Sequence, residues 1–227
     1  MPGTAYYKVL GWAHGALTPA NYVEIGVHKG RSLAEAGAGT RCIGVDPAPN
    51  IEHELPRNVT IYELTSDDFF ARHDPSELLG GPVELAFVDG MHLFEQVLRD
   101  FVNLERRSAS DGVIVLHDCI PLDATTSARE RTTDFYSGDV WKATLALRRS
   151  RPDLSMVIVR TPPTGLCLIS GLTRENRELD QALPALADQY RNLGFDYYLK
   201  HRHEMPPEIS NEEEAVRDWL TSSLASG

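Results

Sequence analysis

Between residues 22 and 170, apolar runs of five or six residues alternate with helix-like stretches, and few folds accept that rhythm. The runs are Tyr22–Gly26, Arg41–Asp46, Val59–Glu63, Glu84–Asp89 and Gly112–His117. Each is rich in apolar or β-branched residues and bounded by Gly, Pro or Asp, as expected of strands covered on both faces of a parallel sheet. Before the last run, Leu93, Val97, Leu98, Phe101 and Leu104 recur at helical spacing, with Glu95, Arg99, Asn103 and Arg106 on the opposite side. Ser32–Ala38 reads as a shorter, Ala-rich helix, and Val140–Arg149 as another with Asp139 as N-cap. Leu154–Arg160 and Gly165–Ser170 then form a hairpin across Thr161-Pro162-Pro163. The expected fold is α/β: a doubly wound, mostly parallel seven-stranded sheet that ends in an antiparallel hairpin, with helices on both faces.

After Gly171 the chain turns polar, with helical patterns near Arg174–Asn192, where Pro184 should kink the helix, and near Glu212–Leu224. No repeat or Gly/Ser linker interrupts the chain. The expected organisation is therefore one α/β domain, 1–170 including an N-terminal helical cover, with a C-terminal helical extension, 171–227, packed on it. Tyr6, Tyr7 and Trp12 are placed to cover a ligand or to meet a second copy in a homodimer.

Several function classes are disfavoured by composition. Lys and Arg total 22 against 33 Asp and Glu, a net charge of −11, which does not suit a protein that tracks a nucleic-acid backbone. No stretch approaches the roughly 20 apolar residues of a membrane-spanning helix, and Met1–Leu10 lacks the pattern of a secretory signal. The three cysteines, Cys42, Cys119 and Cys167, are scattered and without metal-site spacing, so a reducing cytoplasmic setting is expected.

The first strand leads into Glu24-Ile25-Gly26-Val27-His28-Lys29-Gly30-Arg31-Ser32. Three residues separate the two glycines and Arg-Ser follows, which is neither a P-loop nor a dinucleotide fingerprint. Asp46 ends the second strand, where a carboxylate can accept ribose hydroxyls. Two later strands end in Asp89-Gly90-Met91-His92 and His117-Asp118. The carboxyl ends of strands line the ligand crevice of an open α/β sheet, so Asp89, His92, His117 and Asp118 should surround one spot beside the Gly26 turn. Asp100, on the intervening helix, reads as a structural partner.

The Glu24–Gly30 turn, Asp46, and the Val83–Asp118 segment together resemble the class I S-adenosylmethionine-dependent methyltransferases of the methyltransferase-24 type. The layout is similar to that of metal-dependent catechol-type and macrolide-sugar-type O-methyltransferases. The resemblance spans about residues 20–170. It implies that Glu24, Gly26 and Gly30 serve the methionine part of S-adenosylmethionine, Asp46 its ribose, and Ser66 and Asp67 its adenine, with Asp89 alongside. It also implies a divalent cation, Mg²⁺ or Mn²⁺, on Asp89 and Asp118. His117 stands where those families place a carboxylate, so Asp89, His117 and Asp118 are the implied ligands, and the imidazole tilts the preference away from Mg²⁺. His92 occupies the place of the catechol-type catalytic lysine, so the implied catalytic set is His92, His117 and Asp89.

The expected reaction is methyl transfer to the hydroxyl of a small-molecule acceptor such as a sugar, phenol or secondary metabolite. A metal-dependent hydrolase or hydroxylase, and a cofactor-binding protein without catalysis, remain alternatives. The acceptor is expected under the loop Cys119–Gly138, whose Arg129 and Arg131 are candidates for meeting a carboxylate or phosphate.

Overall fold

In the computed structural model, residues 1–224 are described. Helix α1 (Tyr6–Leu17) precedes β1 (Asn21–Ile25) and β2 (Arg41–Val45). Then come β3 (Val59–Tyr62), α2 (Ser66–Arg72), α3 (Pro75–Leu79), β4 (Val83–Val88), α4 (Phe94–Glu105) and β5 (Ser108–His117). The remainder is α5 (Trp141–Ser150), β6 (Ser155–Val159), β7 (Leu166–Ser170), α6 (Glu178–Tyr190), α7 (Phe195–His201), β8 (Glu208–Ile209) and α8 (Glu213–Leu224).

The sheet order is β3-β2-β1-β4-β5-β7-β6-β8. The pairings β3-β2-β1-β4-β5 are all parallel, and β7 runs antiparallel to both β5 and β6. The doubly wound sheet and its antiparallel edge match the sequence expectation, but among the described residues the sheet has eight strands rather than seven. The eighth, β8, pairs with β6 through two residues, and Ile158 N–H donates to Pro207 O at 2.8 Å. A two-residue strand preceded by two prolines carries no hydrophobic period. Residues 171–227 thus contribute a sheet strand as well as helices.

Strand side chains alternate between two apolar layers, as a strand covered on both faces requires. Val23, Ile25, Ala86, Val88, Ile114 and Leu116 pack on one side with Phe94, Phe101 and Trp141. Tyr22, Leu85, Phe87, Val113 and Val115 pack on the other with Val9 and Leu10 of α1 and Val216 and Leu220 of α8. Burying one such large side chain contributes about 1.5–3 kcal/mol. Helix α4 keeps the expected stripe, since Val97, Leu98, Phe101 and Leu104 are all buried.

Three local expectations change. Ser32–Ala38 is only a 3-10 turn over Leu33–Glu35, because so short a stretch is a marginal helix and Gly37 and Gly39 end it. Helix α6 is shorter than the pattern suggested and continues across Pro184. Asp139 does not cap α5. Its carboxylate instead accepts the Phe94 N–H at 2.9 Å, so it serves the start of α4 from 45 residues away. No helix among the described residues is long and apolar enough to cross a membrane.

His14 of α1 is buried against the edge of Tyr22, with ring centroids 4.6 Å apart. Neither ring nitrogen has a hydrogen-bond partner, and burial pushes its pKa down to about 4. Above the unfolded value of about 6.5 both states hold a neutral ring; between about 6.5 and 4 only the unfolded state takes the proton. Stability should therefore fall by up to about 3 kcal/mol across that window as pH drops. Urea titrations at pH 7 and pH 4.5 are expected to show a smaller acid loss in His14→Leu than in the parent; equal losses would disprove it.

Candidate active site

The strand order reverses direction between β1 and β4, and at that switch point the backbone opens into a crevice. A cavity of about 820 Å³ lies there, lined by the Gly26–Ser32 turn, the ends of β2, β4 and β5, the start of α2, and Tyr6 of α1. From the loop between β5 and α5 come Arg131, Phe135 and Tyr136.

Gly26 has φ of 88°, and a Cβ there would overlap the Asp89 backbone. A side chain is therefore excluded by close packing of two strand ends as well as by conformation. Asp46 ties this turn to β2, because its carboxylate accepts His28 N–H at 2.7 Å and Ala48 N–H at 2.8 Å. At the far end the side-chain amide nitrogen of Gln96, Nε2, lies 3.0 Å from each of Ser66 Oγ, Asp67 Oδ1 and Asp100 Oδ1. Burial raises the Asp100 pKa to about 7.

Gly26, Asp46, Ser66, Asp67 and Asp89 all line the cavity, whereas Glu24 and Gly30 do not. Glu24 is buried in β1, where its two oxygens accept from Tyr22 Oη and Ser32 Oγ, both at 2.6 Å. Burial raises its pKa to about 8. Its structural place is to hold Ser32, which does reach the cavity. Tyr22 and Glu24 lie two apart on one strand face, a period-2 signal that could have revealed the pairing.

The four ionisable groups expected at the strand ends do converge. His117 Nδ1 is 2.9 Å from Asp89 Oδ1 and 3.5 Å from Asp118 Oδ1. His92 Nδ1 is 3.0 Å from Asp118 Oδ2 and 3.1 Å from the Tyr136 carbonyl, and His92 Nε2 is 3.6 Å from Asp89 Oδ1. Thr164 Oγ1 donates to Asp118 Oδ1, and the Asp118 backbone is left-handed, with φ of 59°. Burial acts to lower the pKa of both histidines, but the Asp89 and Asp118 carboxylates outweigh it and raise both above the usual value. Burial pushes Asp118 up, and the His117 and His92 rings pull it well below the carboxylate range. Tyr6 stands over His117, ring centroids 4.4 Å apart, and burial raises its phenol pKa.

The donor atoms of Asp89, His92 and Asp118 lie within 4.8 Å of one another. His117, the third ligand implied from the sequence, lies outside that trio and contacts Asp89 through Nδ1. Its Nε2 is buried without a hydrogen-bond partner.

Tyr136 and Arg129, on the loop between β5 and α5, form part of the site's frame. The Tyr136 ring stacks on His92 at 5.8 Å and 6°, and its hydroxyl donates to Arg129 O at 2.7 Å. Arg129, one of the two candidates for meeting an anion, is held by Glu95 at 2.7 and 2.9 Å and by Asp139 at 2.9 Å. Gly138, with φ of 59°, abuts His92 so closely that a Cβ would overlap the His92 carbonyl. Trp141, at the start of α5, belongs to the core.

A sheet with this strand order and a ligand crevice at its switch point is the class I methyltransferase fold. Residues 23–119 match the methyltransferase-24 family model, described as a methyltransferase domain. The fold is that of the class I methyltransferases, and the matched segment is similar in sequence to that family. Cofactor-bound Rv0187 from MTB is similar in structure, with 21% identity, a TM-score of 0.57, and coverage of 75% of this chain and 80% of that one. The O-methyltransferase TomG from Streptomyces achromogenes, involved in tomaymycin synthesis and solved with SAM, has 15% identity, a TM-score of 0.54, and coverage of 72% and 78%. The O-methyltransferase from Bacillus cereus in complex with SAH has 14% identity, a TM-score of 0.51, and coverage of 72% and 80%. No curated protein matches the sequence.

Proposed function

We propose that the protein transfers the methyl group of S-adenosylmethionine to a hydroxyl of a small molecule. The supporting observation is that one cavity holds both an adenosine-type lining and a paired Asp/His cluster. In this reading Asp46 takes the ribose, Ser66 and Asp67 the adenine, and the Gly26–Ser32 turn the methionine part. The residues suit such a ligand: an acidic strand end, hydroxyl and carboxylate acceptors, and a turn that brings backbone close.

When bound, S-adenosylmethionine supplies a methyl group on a sulfonium, so the chain's own task is to orient the acceptor and remove its proton. His92 is suited to the second task. Tyr136 O accepts from Nδ1 at 3.1 Å, which leaves Nε2 to take the hydroxyl proton. Asp89 and Asp118 stabilise the resulting imidazolium.

A second reading is favoured by the Asp89, His92 and Asp118 trio. Two carboxylates and an imidazole at that spacing fit a divalent cation, Mn²⁺ better than Mg²⁺. When bound, such a cation would lower the pKa of an acceptor hydroxyl.

Isothermal titration should show micromolar binding of S-adenosylmethionine and S-adenosylhomocysteine. Absence of heat and of any thermal shift with either would sink the methyl-transfer reading. Repeating transfer after chelation, with and without Mn²⁺, separates the two versions: unchanged turnover supports His92 as base, and restoration by Mn²⁺ supports the cation.

A further inference from the structure

Four aspartates, Asp46, Asp67, Asp89 and Asp118, line the cavity of a chain whose net charge is −11. Anions are repelled from such a place unless cations are supplied locally. Arg31 and Arg131 also line it, and neither forms an ion pair with a carboxylate among the described residues. Arg31 lies over the Tyr7 ring at 5.3 Å. Arg131 donates only to the carbonyls of Thr133 at 3.3 Å and Asp134 at 2.8 Å, with the Tyr136 ring 5.9 Å away. Its neighbour Arg129 is neutralised by Glu95 and Asp139. Of the two unpaired guanidinium groups, Arg131 is carried by the loop whose Tyr136 holds His92.

The same wall leaves large apolar side chains in water. Met91 is 59% exposed and Phe135 41% exposed, and both line the cavity. Covering them releases hydrating water and favours a ligand with an apolar face.

We propose that the methyl acceptor is a hydroxylated ring carrying an anionic substituent, with its hydroxyl at His92, its ring against Phe135 and Met91, and its anion on Arg131. The inference rests on the methyl-transfer reading and names its substrate class. A guanidinium offers a planar fork that matches a carboxylate or a phosphate, and the hydroxyl, ring and anion each meet a different part of one cavity.

The test is equilibrium binding of three probes: a dihydroxybenzoate, the matching dihydroxybenzamide, and a dihydroxyphenyl phosphate. Each is titrated into the protein alone and into the protein saturated with S-adenosylhomocysteine. An anionic probe is expected to bind at least about tenfold more tightly than the amide, with the advantage shrinking as salt rises. Arg131→Gln should erase the preference. The carboxylate and phosphate arms identify which anion is read. Equal binding of acid and amide, or an Arg131→Gln variant that weakens all three probes alike, overturns the proposal. Failure to bind S-adenosylhomocysteine would count against the methyl-transfer reading instead, and the acid-to-amide ratio on the protein alone still decides the anion site. Circular dichroism of the variant checks that its fold is intact.

Discussion

Replacing His92 by alanine is expected to lower methyl-transfer turnover by about 10²–10⁴, while S-adenosylmethionine affinity changes by less than about threefold. The physical case rests on how tightly this ring is oriented. Asp118 and the Tyr136 carbonyl face Nδ1 at 3.0 and 3.1 Å, the Tyr136 ring stacks on the imidazole, and Asp89 lies 3.6 Å from Nε2. An imidazole so constrained has few orientations to lose when a proton is transferred. Two carboxylates beside it favour the cation that results. His92→Gln should fail as well, because a side-chain amide fills the space but cannot take the proton. A variant with normal turnover and a weakened cofactor complex would assign His92 to the cofactor instead. Equilibrium dialysis against Mn²⁺ adds a separate readout, since loss of cation binding on substitution would identify the ring as a ligand.

Asp139→Ala should destabilise the protein by about 3–5 kcal/mol, because it strips the partner from a buried cation. The Asp139 carboxylate is completely buried and holds three elements together: the first turn of α4 through Phe94 N–H, the β5–α5 loop through Arg129, and α5 through Lys142, each at 2.9 Å. Lys142 is itself only 2% exposed. Burial lowers its pKa, and Asp139 acts against that shift. Without the carboxylate, Lys142 must give up its proton or remain an uncompensated charge, and the Phe94 N–H loses its acceptor. Urea unfolding of Asp139→Ala, Lys142→Met and the double variant closes the cycle. The double variant is expected to be more stable than Asp139→Ala alone, because no buried cation is then left unpaired. A single-variant loss below about 1 kcal/mol would show that the network contributes no more than an ordinary surface pair.

The parts of the fold readable from sequence are those set by local periodicity. Val97, Leu98, Phe101 and Leu104 announce α4 because helical spacing puts them on one face. The strand runs announce the sheet because both of their faces must be apolar. Asp46, Asp89 and Asp118 could be placed at the crevice because each follows such a run, and strand ends in an open α/β sheet meet there. The short strand β8 could not be read this way, since a two-residue pairing is stabilised by its neighbour β6 and leaves no period of its own.

Within the site, residue types and their approximate meeting place follow from the sequence, because the order of strands and turns dictates which chain segments reach the switch point. Which side chains then touch is decided by tertiary packing. Arg129 looks the same in sequence as Arg131, yet Glu95 from α4 and Asp139 take the first and leave the second facing the cavity. His92, rather than His117, joins Asp89 and Asp118 as a donor trio because the β5–α5 loop folds back onto it through Gly138 and Tyr136. The contact of His92 with Tyr136 joins residues 44 positions apart. Local pattern carries no information about such pairings: their energies arise only once the intervening helices and strands have packed, when desolvation makes an unpaired charge costly and so selects its partner.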